Sequence, residues 1–283
     1  MTLSALKMSK IEIRRDSSNC AVVNLHGATL QSWVHEGTEM IFVSKKSVFD
    51  NKKAIRGGIP VVFPCFGVWE LGPQHGFARI SKWSLLEEPT KDSNGDVKAV
   101  FELSDDDNTR SLWNNKFKLS YTVCVMSSGL FTELSVNNLN DSEPFSFTWL
   151  LHTYFAVPDV TKCTISGLSC LTYKDKVDEG KEKKEVNDLV TISGFTDRVY
   201  KEASENHVIT NVAGGKTVLL KKSNFPDTVV WNPWIEKAKS MSDFGDDEYP
   251  YMVCVEAGYV ANSCTVNAGS SYTSSQTIDV VSK

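Results

Sequence analysis

The chain predicts an all-β protein, a large antiparallel β-sandwich with a few short helices. Three observations carry this expectation. Apolar and polar residues alternate with period two through most of the chain, turns recur at roughly ten-residue intervals, and no stretch keeps a helical period for three turns. No internal repeat and no linker rich in Pro, Gly or Ser divides the 283 residues, so one domain spanning 1–283 is expected.

The elements follow in order. Alternating runs at 20–25, 28–34 and 39–43 read as strands. Next comes Arg56-Gly57-Gly58-Ile59-Pro60-Val61-Val62-Phe63-Pro64, then Pro73-Gln74-His75-Gly76-Phe77-Ala78-Arg79. Here Gly57, Gly58, Pro60, Pro64 and Gly76 hold the backbone of loops that carry Arg56, His75 and Arg79. A guanidinium fork beside glycines, where the main chain also comes close to a ligand, suits a phosphorylated or polyhydroxylated small molecule. The charged stretches 90–97 and 174–188 read as solvated loops or long hairpin tips, and a strand at 98–103 lies between them. Runs 117–126 and 130–136 flank Ser127-Ser128-Gly129, a three-residue hairpin loop with glycine available for a left-handed position.

Residues 145–157 (FSFTWLLHTYFAV) read as one long strand. Phe145, Phe147, Trp149, Leu151 and Phe155 face the core, while Ser146, Thr148, Leu150, His152 and Tyr154 face the other way. After 217–221, a short helix is expected at 233–240, with Asn232 as N-cap, Pro233 as its first residue and Glu236 in its first turn. The strand at 251–257 (YMVCVEA) places Met252, Cys254 and Glu256 on one face.

Thirty basic against thirty-five acidic residues give a net charge of −5 without a basic block, which argues against nucleic acid and anionic membrane as partners. An anionic substrate must then be held by local arginines against the field of the whole chain. No run of eighteen apolar residues suggests a membrane span, and Lys7, Ser9 and Lys10 interrupt any leader-like run. Seven cysteines without metal-ligand spacing suggest a reducing compartment, the cytoplasm, with Cys20, Cys124 and Cys254 as buried apolar residues. The sequon Asn140-Asp141-Ser142 reads as a plain turn.

Several residues are candidates for chemistry, each with a structural alternative. His152 is a candidate acid or a satisfied strand histidine. Glu256, between apolar neighbours, is a base raised by desolvation or a strand-end glutamate paired with an arginine. Asp197 accepts sugar hydroxyls, pairs with Arg198 or closes an Asx-turn. His75, beside Gln74, has less structural reason to be where it is. Trp69, Trp231 and Trp234 are candidate sugar platforms or packing residues, with packing favoured for at least two. No GxSxG, Walker-type or GxGxxG element is present, and neither His152 nor His75 stands in a metal-binding repeat, so no metal or cofactor is expected.

The motifs RGGIPVVFP, PQHGFAR, LLHTYF, FTDRVY, VVWNPWIEKAKSMSDFGDDEY and VCVEAGYV, in this order, resemble the glucose-6-phosphate 1-epimerases of the aldose 1-epimerase superfamily. The resemblance covers essentially the whole chain. It implies an antiparallel β-super-sandwich of the galactose mutarotase type with a cleft on one sheet. It implies Glu256 as general base and His152 as general acid. His75, Gln74 and Asp197 are then substrate-binding residues, and Arg56 and Arg79 hold the phosphate. Cys65 and Ile80 depart from the family pattern at positions that bear on sugar preference.

The reaction so implied is interconversion of the anomers of hexose 6-phosphates by acid/base ring opening, without a cofactor, in a monomer. His152 is expected to act in its protonated form. The alternatives are an epimerase of unphosphorylated hexoses and a non-catalytic carbohydrate-binding protein. A glycosidase, which needs two carboxylates, would have to use Glu256 with Asp197.

Overall fold

Residues 9–281 are described by a computed structural model; Met1–Met8, with Lys7 of the leader argument, lie outside them. Strands β1 (Lys10–Arg14), β2 (Cys20–Asn24), β3 (Thr29–His35) and β4 (Thr38–Glu39) form a four-stranded antiparallel sheet in chain order. The run expected at 39–43 continues only as isolated bridges, Ile41 to Phe155 and Val43 to Gly57.

The two larger sheets build the sandwich. β5 (Val61–Val62) belongs to the front sheet, whereas β6 (Ser84–Lys91), β7 (Val97–Ser104), β8 (Phe117–Val125) and β9 (Gly129–Asn138) form the back one. A six-residue helix α1 (Asp107–Leu112) links β7 to β8. The chain returns to the front with β10 (Phe145–Leu151), β11 (Tyr154–Ala156), β12 (Thr172–Asp175), β13 (Lys181–Lys184) and β14 (Thr196–Tyr200). β15 (Asn206–Val212) and β16 (Lys216–Ser223) rejoin the back, then β17 (Asp227–Asn232) and β18 (Met252–Val266) the front. Helix α2 (Trp234–Lys239) lies between the last two, and β19 (Ser271–Val281) completes the back sheet.

Alternation decides how the sheets pack. Leu119, Tyr121, Val123, Leu134, Val136 and Ile278 of the back sheet meet Phe147, Trp149, Leu151, Val230, Val253 and Val255 of the front in one buried cluster. The outer face of the front sheet is also covered, by smaller clusters around Val62, Leu150, Val199 and Val229 and around Tyr154, Cys254 and Met252. A sheet covered on both faces desolvates whatever polar side chains its outer face carries.

Several local expectations change. The strand read over 145–157 breaks at His152-Thr153, where His152 N donates to Pro60 O at 3.0 Å and Tyr154 N to Gly58 O at 3.0 Å. Gly129 is not left-handed. It lies in β9, where a Cβ would stand 1.9 Å from Ile278 O, so glycine is needed for cross-strand approach. Of the two readings for 174–188 the hairpin holds, formed by β12 and β13. Helix α2 begins one residue later than expected, but Asn232 still serves its start, with Oδ1 accepting from Trp234 N at 2.9 Å.

Cys254 is buried, whereas Cys20 and Cys124 lie partly exposed on the outward alternation of their strands, and all seven cysteines are free thiols. The Asn140 side chain is committed to its turn, accepting from Lys116 N at 2.8 Å and donating to Asn115 Oδ1 at 2.8 Å. Among the described residues, no helix is long and apolar enough to cross a membrane.

Candidate active site

Strand register assembles the floor of a cleft on the outer face of the front sheet. Asp197 pairs with Trp231, Trp231 with Cys254, and Cys254 with Tyr154, giving one cross-strand row. In the next row Val199 pairs with Val229, and Val229 with Glu256. Leu151 opposite Ala257 and Tyr154 opposite Cys254 bracket the β10–β11 break, so His152 comes to lie beside Glu256. His152 Nδ1 and Glu256 Oε1 are 3.5 Å apart. Glu256 is therefore mid-strand and beside an imidazole, not a strand-end glutamate paired with an arginine.

The cleft above this floor has a volume of about 300 Å³, the lower end of the range for small-molecule sites. Every residue singled out for the site lines it: Arg56, Gln74, His75, Arg79, His152, Asp197 and Glu256. Trp231 lines it too, while Trp69 and Trp234 pack against the core.

The loops that carry the arginines are shaped by backbone contacts. At Gly76, with φ +71°, a Cβ would stand 2.1 Å from Phe63 O. This close approach fixes the parallel bridge from Phe63 to Gly76 beside which His75 and Arg79 are presented. Gly57 and Gly58 likewise fit against Phe42 O and Leu30 O, each 2.4 Å from a hypothetical Cβ. Their glycine character thus serves packing on neighbouring chain segments, not approach to a ligand. His75 Nδ1 accepts from Gly67 N at 3.2 Å, which leaves Nε2 to carry the proton. Thr148, on the polar face of β10, accepts from Phe66 N at 2.7 Å and ties the same loop to the sheet.

The arginines differ in their company. Arg56 Nη1 donates to Tyr154 Oη at 3.3 Å and Nη2 to Asp243 Oδ2 at 3.2 Å. Burial opposes its charge, but Tyr154 and Asp243 more than offset that and raise its pKa. Arg79 donates to the carbonyl oxygen of Gln74 at 2.7 Å. Burial, with the positive charge of Arg56, draws Arg79 down to about 10, still fully charged at neutral pH. The Nε atoms of both arginines are buried without a hydrogen-bond partner in the described structure.

Burial also governs the catalytic candidates. It pushes Glu256 well above the usual carboxylate range, assisted by the negative charge of Asp197. It pushes His152 well below the usual imidazole range, assisted by Arg79 and Arg56. At neutral pH His152 is thus neutral in the free cleft, while Glu256 holds its proton to a higher pH than an ordinary carboxyl does. The protonated His152 expected from sequence is not the resting form, because burial, and then two nearby guanidinium groups, oppose its charge. The imidazole stacks on Tyr154, with centroids 4.6 Å apart and planes 13° from parallel.

Asp197 lies on β14, not on a loop. Its partner is Lys176, at 3.8 Å, since Arg198 turns away to Glu185 at 3.2 Å. Burial raises the Asp197 pKa despite Lys176. Lys176 itself escaped the sequence reading, as did Phe66, Phe195, Lys237 and Met241, all of which line the cleft. The Lys176 ammonium stands 4.7 Å over the ring of Phe66. No local pattern marks it out among the lysines of its hairpin. Three groups, His152, Cys254 and Glu256, each bring one possible metal-ligand atom within 4.8 Å of the others. Cys254 and Glu256 come from β18 and His152 from the β10–β11 break beside it. Burial drives the Cys254 thiol well up, which opposes the thiolate a metal requires.

Comparison with known proteins matches this geometry to a family. The aldose 1-epimerase model matches residues 9–279. A proposed glucose-6-phosphate 1-epimerase from Cenchrus ciliaris is 36% identical over 93% of this chain and 82% of its own length. One of the same description from Escherichia coli is 35% identical over 84% and 79%. The crystal structure of a proposed mutarotase from Salmonella typhimurium superposes with a TM-score of 0.86 at 31% identity, over 94% of this chain and 88% of that one. On family model, relatives and fold alike, the chain belongs to the aldose 1-epimerase family.

Proposed function

We propose that the cleft interconverts the α and β anomers of a hexose 6-phosphate, with glucose 6-phosphate as the first substrate to test. The observation that carries this reading is the placement of an acid/base pair, His152 and Glu256, on the buried floor of a cleft that also holds Arg56 and Arg79. The names of the relatives point to the same substrate.

In this mechanism the Glu256 carboxylate takes the proton of the anomeric hydroxyl while protonated His152 delivers one to the ring oxygen. The ring opens to the aldehyde, the C1–C2 bond rotates, and closure from the other face inverts the anomer. On closure the two groups exchange roles. Positioned proton transfer contributes roughly 10²–10⁴-fold per group, and the desolvated site brings the carboxyl pKa nearer to neutrality. Arg56 and Arg79 meet the phosphate with charge-assisted bonds. Gln74, His75 and Asp197 orient sugar hydroxyls. The reading takes 1–283 as one domain and the protein as a monomer.

Exchange NMR on glucose 6-phosphate tests this directly. Glu256→Gln and His152→Ala should each remove nearly all acceleration, and full activity in either would overturn the assignment. Arg79→Ala should raise KM for glucose 6-phosphate far more than for glucose. Equal effects on the two sugars would favour an epimerase of unphosphorylated hexoses, and binding without exchange would favour a carbohydrate-binding protein.

A further inference from the structure

We propose that the phosphate of the substrate is a switch as well as a handle: seated at Arg56 and Arg79, it offsets their charge and favours the imidazolium form of His152 beside the Glu256 carboxylate. The inference rests on the reading above, in which the arginines receive the phosphate.

The geometry supplies the route. Arg56 Nη1 reaches the Tyr154 hydroxyl at 3.3 Å, and the Tyr154 ring lies flat on the His152 imidazole at 4.6 Å. Among the described residues, the carboxylate of Asp243 alone offsets Arg56 within ion-pair distance, at 3.2 Å, and none stands at that distance from Arg79. The arginines thus present positive charge against a desolvated imidazole, where charge is felt strongly.

The charged and titratable groups around the imidazole come from every element packed on it. Glu256 and Cys254 stand on β18, and Tyr154 on β11. Arg56, His75 and Arg79 stand on the loops, with the His75 ring 6.0 Å away. Lys176 stands on the β12–β13 hairpin, and Asp197 on β14 bears on Glu256. After burial, Arg79 and Arg56 are the chief influences that keep His152 neutral, with Lys176 a lesser one. The main influences on Glu256 are burial, Asp197 and Lys176. A dianion at the arginines therefore acts on the imidazole side of the pair.

The proton balance is simple. One proton arrives on the His152 imidazole, from the Glu256 carboxyl or from solvent. The products are the carboxylate base and imidazolium acid that ring opening needs. An unphosphorylated hexose leaves the arginine charge in place, opposing the imidazolium. Tight phosphate binding and high turnover then have the same origin, binding energy of a remote group expressed in the transition state.

Phosphite, a dianion small enough to share the cleft with glucose, separates the two ideas. Anomer exchange of glucose by the full chain is followed with and without phosphite, after subtracting the enzyme-free rate. The expected result is an increase in kcat/KM of about tenfold for each pKa unit His152 gains. In parallel, the imidazole signals of labelled protein are titrated, His152→Gln serving to assign the His152 signal. The His152 pKa should rise by about one unit or more when phosphite is present.

If phosphite competes with glucose 6-phosphate but neither activates glucose exchange nor moves His152, the switch is refuted and the anion site stands. If phosphite does not compete with glucose 6-phosphate at all, the arginine assignment falls and the switch with it.

Discussion

Glu256 shows how one residue sets function against stability. Its carboxyl is buried on the sheet floor beside a neutral imidazole, so its folded-state pKa lies above the ordinary value of 4.5. A raised carboxyl pKa means the folded state holds a proton the unfolded state releases. The contribution of Glu256 to stability is therefore fully present below pH 4.5 and is lost as pH rises towards the folded pKa. Glutamine keeps the shape and cannot ionise. Glu256→Gln should thus melt higher than the parent at pH 8, with the difference vanishing below about pH 4.5, while catalysis is lost; calorimetry at the two pH values checks this. His152 has the opposite sign: with its pKa lowered, its contribution is present above the ordinary imidazole value and is lost as pH falls.

At the scale of elements, the strands of the front sheet carry the chemistry and the connections aim it. The β10–β11 break frees His152 from regular pairing with β18, and backbone bonds to Pro60 and Gly58 hold both sides of that break. The RGGIP segment therefore positions the acid as well as supplying Arg56, a second duty that follows from its path between β3 and β11. Helix α1 is different, for it lies away from the cleft and is held by its own cap. Asp106 accepts from Thr109 N at 2.7 Å, and Asp106 N donates to Thr109 Oγ1 at 2.9 Å, a reciprocal capping box. Asp106→Ala should cost about 0.5–2 kcal/mol in denaturant unfolding and leave the turnover of folded protein unchanged. Altered turnover would mean that α1 reaches the site.

For the whole molecule, the net charge of −5 disfavours an anion at long range, while Arg56, Arg79, Lys176 and Lys237 collect in one cleft. Recognition of a sugar phosphate then depends on short-range contacts in a buried cleft, which salt screens far less than it screens the long-range repulsion. Raising ionic strength from about 0.01 to about 0.15 M, which shortens the screening length from roughly 30 to 8 Å, should lower KM for glucose 6-phosphate and leave that for glucose unchanged. Parallel changes for both sugars would indicate that the cationic groups serve the fold and not the substrate.

The sequence by itself determined the sheet alternation, the hydrophobic partition between faces, and the chemical types in the cleft. Those properties are written locally: side-chain direction alternates along any strand, and Arg56, Arg79, His152 and Glu256 stand in short motifs that can be read one at a time. Tertiary structure alone decided that Lys176 meets Asp197, that Gly57 and Gly58 serve packing, that Glu256 lies mid-strand, and that His152 rests neutral. Register between strands far apart in the chain sets the first three. Desolvation and charge at the cleft floor set the last, and both depend on distances through space that no local pattern encodes.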